Sequence, residues 1–220
     1  MEEEIIIEKL KKAIERATKN VIMINSFYSY IPFTSTEGEL EPGYIEQYEA
    51  LVKAMIYHEM INDGIPMVDI AMEEPIGNKI QRRKRFDFYI NNVISDGKAK
   101  EFFIEVKTFV IYSGQKKEPD IRRKMEENDI RGIVGKDGEG TIYSDIKKLN
   151  TAVKESKKKA IMIIVDQSQY IGGIDHINII IDELKKLLKK EKFSNEILFA
   201  IADNSRTAIM SAEEIKVHKE

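Results

Sequence analysis

The feature that most constrains the fold is an apolar segment with two opposite charges at its centre, Phe102 to Phe109 (FFIEVKTF). Aromatic and β-branched residues dominate the segment, and the polar turn residues 96–98 precede it, which is typical of a β-strand. Because side chains alternate along a strand, Glu105 and Lys107 project from the same face. Burying a carboxylate and an ammonium group in such a strand is unfavourable unless each gains a partner. The segment therefore predicts both a strand and a site at which those charges are used.

A second apolar segment with one acid lies upstream, at Arg85 to Ile90 (RFDFYI). Its composition also predicts a strand, and it carries Asp87. If the two strands are neighbours, Asp87 and Glu105 form a pair of carboxylates beside the amine of Lys107. Carboxylate oxygens are the ligands that Mg²⁺ prefers, so this pattern indicates a divalent-cation site.

The pattern of Asp87, then Glu105-x-Lys107, resembles the signature of the PD-(D/E)xK phosphodiesterase superfamily, the restriction-endonuclease-like nucleases. That signature places an Asp on one strand and Asp/Glu-x-Lys on the adjacent strand. The proline that often precedes the first acid is replaced here by Phe86. The resemblance implies an α/β fold with an αβββαβ core, in which a mixed central sheet is flanked by helices.

Periodicity and turn residues predict the same order of elements. Helices are predicted over 2–19, 44–62, 145–156 and 175–190, with a short one from 211, and strands over 67–71, 85–90, 102–109, 160–166 and 197–202. From residue 44 the order is α–β–β–β–α–β–α–β, and the resemblance covers roughly 44–166. With 220 residues we expect one main domain at 44–220, preceded by an N-terminal helix and connecting loop at 1–43.

Composition excludes several other classes of protein. The chain has no cysteine, so disulfide frameworks, cysteine nucleophiles and cysteine zinc sites are excluded. The three histidines have no metal-ligand spacing. The net charge is −3, so nucleic-acid binding would depend on local basic patches. No signal peptide or apolar run near the length of a membrane span is present, and we expect a cytoplasmic protein without membrane contact.

The helix predicted over 44–62 offers three glutamates that the resemblance would bring to the site. Glu49 is the first choice, and Glu46 and Glu59 are alternatives; a solvated surface position is an equal possibility for each. The next helix is predicted to begin with Ser144-Asp145 as its N-cap.

Basic side chains near these elements are candidate phosphate contacts. They are Arg82, Arg83, Lys84 and Arg85 before the first acid, Arg122 and Arg123 in the glycine-rich segment 112–144, and Lys147 and Lys148 on the helix that follows. A solvated turn or helix face is the alternative interpretation for all of them. The glycines of segment 112–144 do not match a phosphate-binding loop, and the segment is interpreted as a lid or a nucleic-acid-facing insertion.

By resemblance, the function would be metal-dependent hydrolysis of phosphodiester bonds by an endonuclease-like enzyme, in DNA rather than RNA. Asp87, Glu105 and the Val106 carbonyl would bind Mg²⁺, for which Mn²⁺ can substitute, and Lys107 would position the attacking water. Glu49 would complete the catalytic set, and a homodimer is an expectation from the family. The alternative is a catalytically silent nucleic-acid-binding or protein-interaction module, in which Glu105 and Lys107 form an ordinary ion pair.

Overall fold

A computed structural model describes residues 1–28, 43–75, 85–95, 97–109, 134–135, 141–156, 158–166, 176–203 and 206–218. The described helices are α1 Glu3–Tyr28, α2 Gly43–Asn62, α3 Ile142–Ser156, α4 His176–Lys190 and α5 Ala212–Val217. The strands are β1 Ile70–Pro75, β2 Arg85–Ser95, β3 Lys98–Phe109, β4 Lys159–Asp166, β5 Ile197–Ala202 and β6 Thr207–Ser211, and a 3₁₀ helix at Met67–Asp69 leads into β1.

The six strands form one mixed sheet whose spatial order follows the chain, β1-β2-β3-β4-β5-β6. β1, β2 and β3 form an antiparallel meander, and Gly97, with a φ of +69°, lies in the turn between β2 and β3. β3, β4 and β5 are parallel, connected through α3 and α4, and β6 is antiparallel to β5. The predicted mixed α/β architecture with an N-terminal helix is therefore confirmed. The strand β6 was missed, because its five residues were interpreted as part of a tail.

Both faces of the sheet are covered, which the central strand β4 makes plain. Every residue of β4 after Lys159 is buried, as expected for a parallel strand with helices on both sides. Ile161, Ile163 and Val165 belong to the core formed with α1 and α2, whereas Met162 and Ile164 belong to the core formed with α3 and α4. The sheet thus separates α2 from α3. A site that uses side chains from both helices must therefore lie where two neighbouring strands no longer pair.

The N-terminal helix packs into this same structure. Its predicted apolar face is buried, with Ile6, Leu10, Ile14 and Ala17 at 0–1% exposure, and it lies in the core that contains α2. The helix continues to Tyr28, beyond its predicted end at residue 19. The division of domains at residue 43 stays a prediction. Nowhere in the described part of the chain is there a helix with the length and apolar character needed to cross a bilayer.

The predicted start of α3 was wrong. The helix begins at Ile142, and the hydroxyl of Thr141 accepts a hydrogen bond of 3.2 Å from the backbone N–H of Ser144, which is the role of an N-cap. Thr141 is as good a capping residue as Ser144 or Asp145, so sequence alone did not distinguish them. As a result Asp145 lies inside the first turn, with its side chain available for other contacts.

Candidate functional site

The site is located where the pairing of β2 with β3 ends. The register between these strands runs from Ser95 and Lys98 to Phe88 and Ile104. Beyond that point the backbone N–H of Val106 donates a 2.7 Å hydrogen bond to Oδ2 of Asp87. A carboxylate that accepts a hydrogen bond from a backbone N–H is held in a fixed position. The side chain of Asp87 is therefore anchored to the neighbouring strand at the position where the sequence places the first acid.

Helix α2 contributes a lysine and a glutamate one turn apart. Lys53 Nζ lies 2.7 Å from Oδ1 of Asp87 and 2.7 Å from Oε1 of Glu49. Burial disfavours the charged form of Lys53. The negative charge of Asp87 and the hydrogen bonds of Lys53 to Asp87 and Glu49 outweigh burial, so the pKa of Lys53 is raised. Among the three candidate glutamates the structure brings Glu49 to the site. Glu59 is instead bound to Arg16, while Glu46 lies in the part of α2 whose side chains are not described.

Glu105 is the most buried acid of the group, with 4% exposure, and it forms an ion pair with Lys148 of α3. Burial and then the negative charge of Asp87 raise the pKa of Glu105 to about 8, in spite of the attraction of Lys148. The ammonium group of Lys148 also lies 5.2 Å from the ring centroid of Phe86, and that ring stacks on Phe103 at 4.4 Å.

Lys107 occupies the space between the two helices. Its Nζ atom is 3.7 Å from Oε2 of Glu49 on α2 and 3.7 Å from Oδ2 of Asp145 on α3. Burial raises the pKa of Asp145, with Lys107 and Lys148 acting in the opposite direction. The two long contacts hold the ammonium group of Lys107 between acids without the close pairing seen at Lys53.

In the described part of the chain, seven charged side chains thus form one group, which we call the carboxylate–lysine cluster: Glu49, Lys53, Asp87, Glu105, Lys107, Asp145 and Lys148. The four residues proposed from the sequence as catalytic all belong to it. Sequence reasoning missed Lys53 and Asp145 as members. The spacing of Lys53 four residues after Glu49 was the available signal, since such residues share a helix face.

The other candidate nucleic-acid contacts are placed differently. Lys148 belongs to the carboxylate–lysine cluster, but Lys147 lies 3.9 Å above the ring centroid of Tyr143 and 3.7 Å from Glu191. Arg85 opens β2, where its side chain is not described. The remaining candidates, Arg82, Arg83, Lys84, Arg122 and Arg123, lie outside the described residues. Phosphate binding by all of these side chains stays a prediction.

A metal site can be tested against the donor set. In the described ranges no group of three or more acids or histidines is arranged to hold a metal ion. Asp87 and Glu105 lie on paired strands, and Asp87 accepts a hydrogen bond from the N–H of Val106, the residue next to Glu105. Mg²⁺ commonly binds through one or two carboxylates and retains several waters, so this donor set fits Mg²⁺ in type and number. Metal binding through Asp87, Glu105 and the Val106 carbonyl stays a prediction.

Comparisons with known proteins add little to this geometry. No family model matches the chain, and no curated protein matches it in sequence. The solved structure of SfsA from Pyrococcus furiosus in complex with Ca²⁺ aligns with 74% of this chain at 15% identity and a TM-score of 0.33. The alignment covers 62% of that structure's own chain. The function proposed below therefore depends on the side chains of the carboxylate–lysine cluster.

Proposed function

We propose that the chain is a metal-dependent nuclease of the PD-(D/E)xK type that hydrolyses phosphodiester bonds, with DNA as the first substrate to test. One observation carries the proposal: the structure gathers Asp87, Glu105, Lys107 and Glu49 around the point where β2 and β3 separate. The element order α2-β1-β2-β3-α3-β4 supports a restriction-endonuclease-like core.

Asp87 and Glu105 would hold the divalent cation. A bound Mg²⁺ supplies Lewis acidity, neutralises charge on the phosphate and makes water a stronger nucleophile. Asp87 is already fixed by the Val106 N–H, so this carboxylate needs little rearrangement. Glu105 is buried beside a like charge, and a cation at this position would favour its ionised form. The two acids therefore provide one anchored ligand and one ligand whose charge needs compensation.

Lys107 would orient the attacking water and assist its deprotonation. Among the described residues, the two acids near its ammonium group lie at 3.7 Å, beyond ordinary hydrogen-bond length, so neither forms a tight pair with it. As the neutral amine, a lysine side chain can accept the proton that the water releases, whereas a guanidinium stays protonated and cannot. Glu49 and Asp145 flank this amine from two helices and would act as positioning residues. Their opposed placement would keep Lys107 centred on the scissile phosphate.

The test is cleavage of a panel of plasmid, linear, branched and single-stranded DNA and of RNA, in Mg²⁺, Mn²⁺ or EDTA. Lys107→Ala should lower cleavage by about 10³-fold, the scale of a lost proton-transfer group, while nucleic-acid affinity changes little. Lys154→Ala is the matched control, because Lys154 lies on α3 and its ammonium group contacts the Lys192 carbonyl instead of the cluster. That variant should cut at the wild-type rate.

Two results would overturn the proposal. Metal-dependent cleavage at wild-type rate by Lys107→Ala would remove Lys107 from the chemistry. If no substrate is cut under any condition and the variants bind nucleic acid like the wild type, the chain is a silent binding module instead. Binding is measured by fluorescence anisotropy with labelled forms of the same panel, so that loss of cutting and loss of binding are separated.

A further inference from the structure

Two lysines form ion pairs with the carboxylates that are proposed as metal ligands, and these lysines come from helices on opposite faces of the sheet. Lys53 of α2 lies 2.7 Å from Oδ1 of Asp87, and Lys148 of α3 forms the ion pair with Glu105. The side chains of Lys53 and Lys148 are 23% and 21% exposed, so both reach solvent while contacting partly or fully buried acids. Each proposed metal ligand is thus paired with a lysine ammonium group in the described structure.

A lysine cannot keep that position unchanged if a divalent cation binds the same carboxylate. The two positive charges would repel each other over a short distance in a medium less polar than water. Lysine has a flexible four-carbon stem, so its ammonium group can move several ångströms without any change of the backbone. A phosphodiester entering the site would offer negatively charged oxygens as the new partner.

We propose that Lys53 and Lys148 are exchangeable counter-ions, which hold Asp87 and Glu105 in the metal-free protein and turn to the phosphate oxygens of the substrate when a divalent cation is bound. This inference rests on the proposed nuclease function; it adds Lys53 to the site and gives Lys148, a candidate phosphate contact, a second role. It gives the three lysines of the cluster separate tasks. Lys107, which is 3.7 Å from Glu49 and Asp145, would position the attacking water. Lys53 and Lys148 would pair with the metal-ligand carboxylates in the metal-free protein and with the phosphate oxygens once the cation and substrate are bound.

The exchange has a signature that a fixed ion pair would lack, namely opposite effects on two kinds of binding. Removing either charge relieves competition at the carboxylates, so metal affinity rises. The same change removes a phosphate contact, so nucleic-acid affinity falls and becomes less dependent on salt. A purely structural ion pair predicts that both affinities fall together because the site is distorted, or that neither changes.

The experiment measures Mn²⁺ binding by electron paramagnetic resonance on the full chain without substrate. Lys53→Met and Lys148→Met should each bind Mn²⁺ about tenfold more tightly than the wild type, which corresponds to about 1.4 kcal/mol. Lys154→Met removes one charge from α3, the helix of Lys148, at a position outside the cluster. The Mn²⁺ affinity of this variant should stay within about twofold of the wild-type value. Lys53→Gln and Lys148→Gln keep a hydrogen-bond donor without the charge, and they replace the Met variants if those fail to fold.

Duplex DNA binding is then measured in Mg²⁺, with Lys107→Ala in every protein so that cleavage is negligible during the measurement. Adding Lys53→Met or Lys148→Met should weaken binding about tenfold and reduce the salt slope by about one unit per lysine. Unchanged or weaker Mn²⁺ binding by all the lysine variants would overturn the exchange alone, provided the wild type binds Mn²⁺. No Mn²⁺ binding by any protein, together with no cleavage of the panel, would overturn the proposed function itself.

Discussion

The carboxylate–lysine cluster can be compared with a second group of charges, between α1 and α2, which we call the arginine cluster: Arg16, Glu59 and Asp63. Arg16 Nε lies 2.7 Å from Oε2 of Glu59, and a second nitrogen of the same guanidinium binds Asp63. Its hydrogen bonds to Asp63 and Glu59 raise the pKa of Arg16, so attraction exceeds the effect of burial there. One guanidinium thus forms ion pairs with both acids.

In the carboxylate–lysine cluster, burial outweighs the attraction of nearby opposite charges at two of the acids. Burial is the largest influence on Glu105 and on Asp145, and it raises the pKa of each in spite of nearby lysines. Acids held where their ionised form is disfavoured are typical of functional sites, whereas satisfied ion pairs are typical of structural ones. The lysines of this cluster therefore do not offset the cost of burying Glu105 and Asp145.

The largest expected effect is on cleavage. Asp87→Asn keeps an oxygen that can accept from the Val106 N–H but removes the charge needed for a metal ligand, so cleavage should fall by about 10³-fold or more. Asp63→Asn makes the same change in the arginine cluster and should leave the rate per folded molecule unchanged. Steady-state cleavage in Mg²⁺ measures both variants. Equal losses in the two would show that the clusters do not differ in function.

The second prediction concerns the dependence of stability on pH. The pKa of Glu105 is about 8 in the folded chain, against an ordinary value of 4.5. Between those pH values the unfolded chain has released this proton and the folded chain still holds it, so the free energy of unfolding falls as pH rises. The loss is complete above pH 8 and absent below about pH 4.5. At about 1.4 kcal/mol per pKa unit, it amounts to a few kcal/mol.

Glu105→Gln removes this titration and should therefore flatten the decline. Urea denaturation of metal-free protein at pH 5, 6.5 and 8 should show the variant gaining on the wild type as pH rises. Glu59→Gln is the matched change in the arginine cluster, and it should lower stability at each pH because Arg16 loses a charged partner. A Glu105→Gln curve parallel to that of the wild type would contradict the burial of a disfavoured carboxylate.

The comparison also explains how much of the site the sequence could predict. Asp87, Glu105 and Lys107 were identifiable because charges stand out in apolar strands, and the alternation of side chains assigns their faces. The two strands that carry these charges were identifiable from their apolar and β-branched residues. The apolar sequence of β4 likewise matches its burial. Glu49 was named first among three glutamates only with the help of a family resemblance.

Asp145 could not be recognised as a site residue, and Lys53 only through its position one turn after Glu49. The roles of both depend on how α2 and α3 meet the point where β2 and β3 separate. Asp145 in particular looked like a helix cap, and Thr141 takes that position. The strand β6 was missed since Thr207–Ser211 is short and partly exposed, and it is defined by its pairing with β5. Periodicity predicts which face of an element is buried, but tertiary contacts decide which polar side chains meet.

The smallest expected effect comes from Arg16→Met, and it separates structure from function in the arginine cluster. The change keeps an apolar stem but leaves Glu59, which is 7% exposed, without its cation. Breaking a fully buried pair costs about 3–5 kcal/mol, and the part exposure of Arg16 reduces the expected loss to about 1–2 kcal/mol. The rate of cleavage per folded molecule and the affinity for Mn²⁺ should not change. Urea denaturation gives the loss of stability and a titration of active sites corrects the rate for folded protein. An unchanged stability with impaired Mn²⁺ binding would reverse the assignment, and would make the arginine cluster the functional partner of the two.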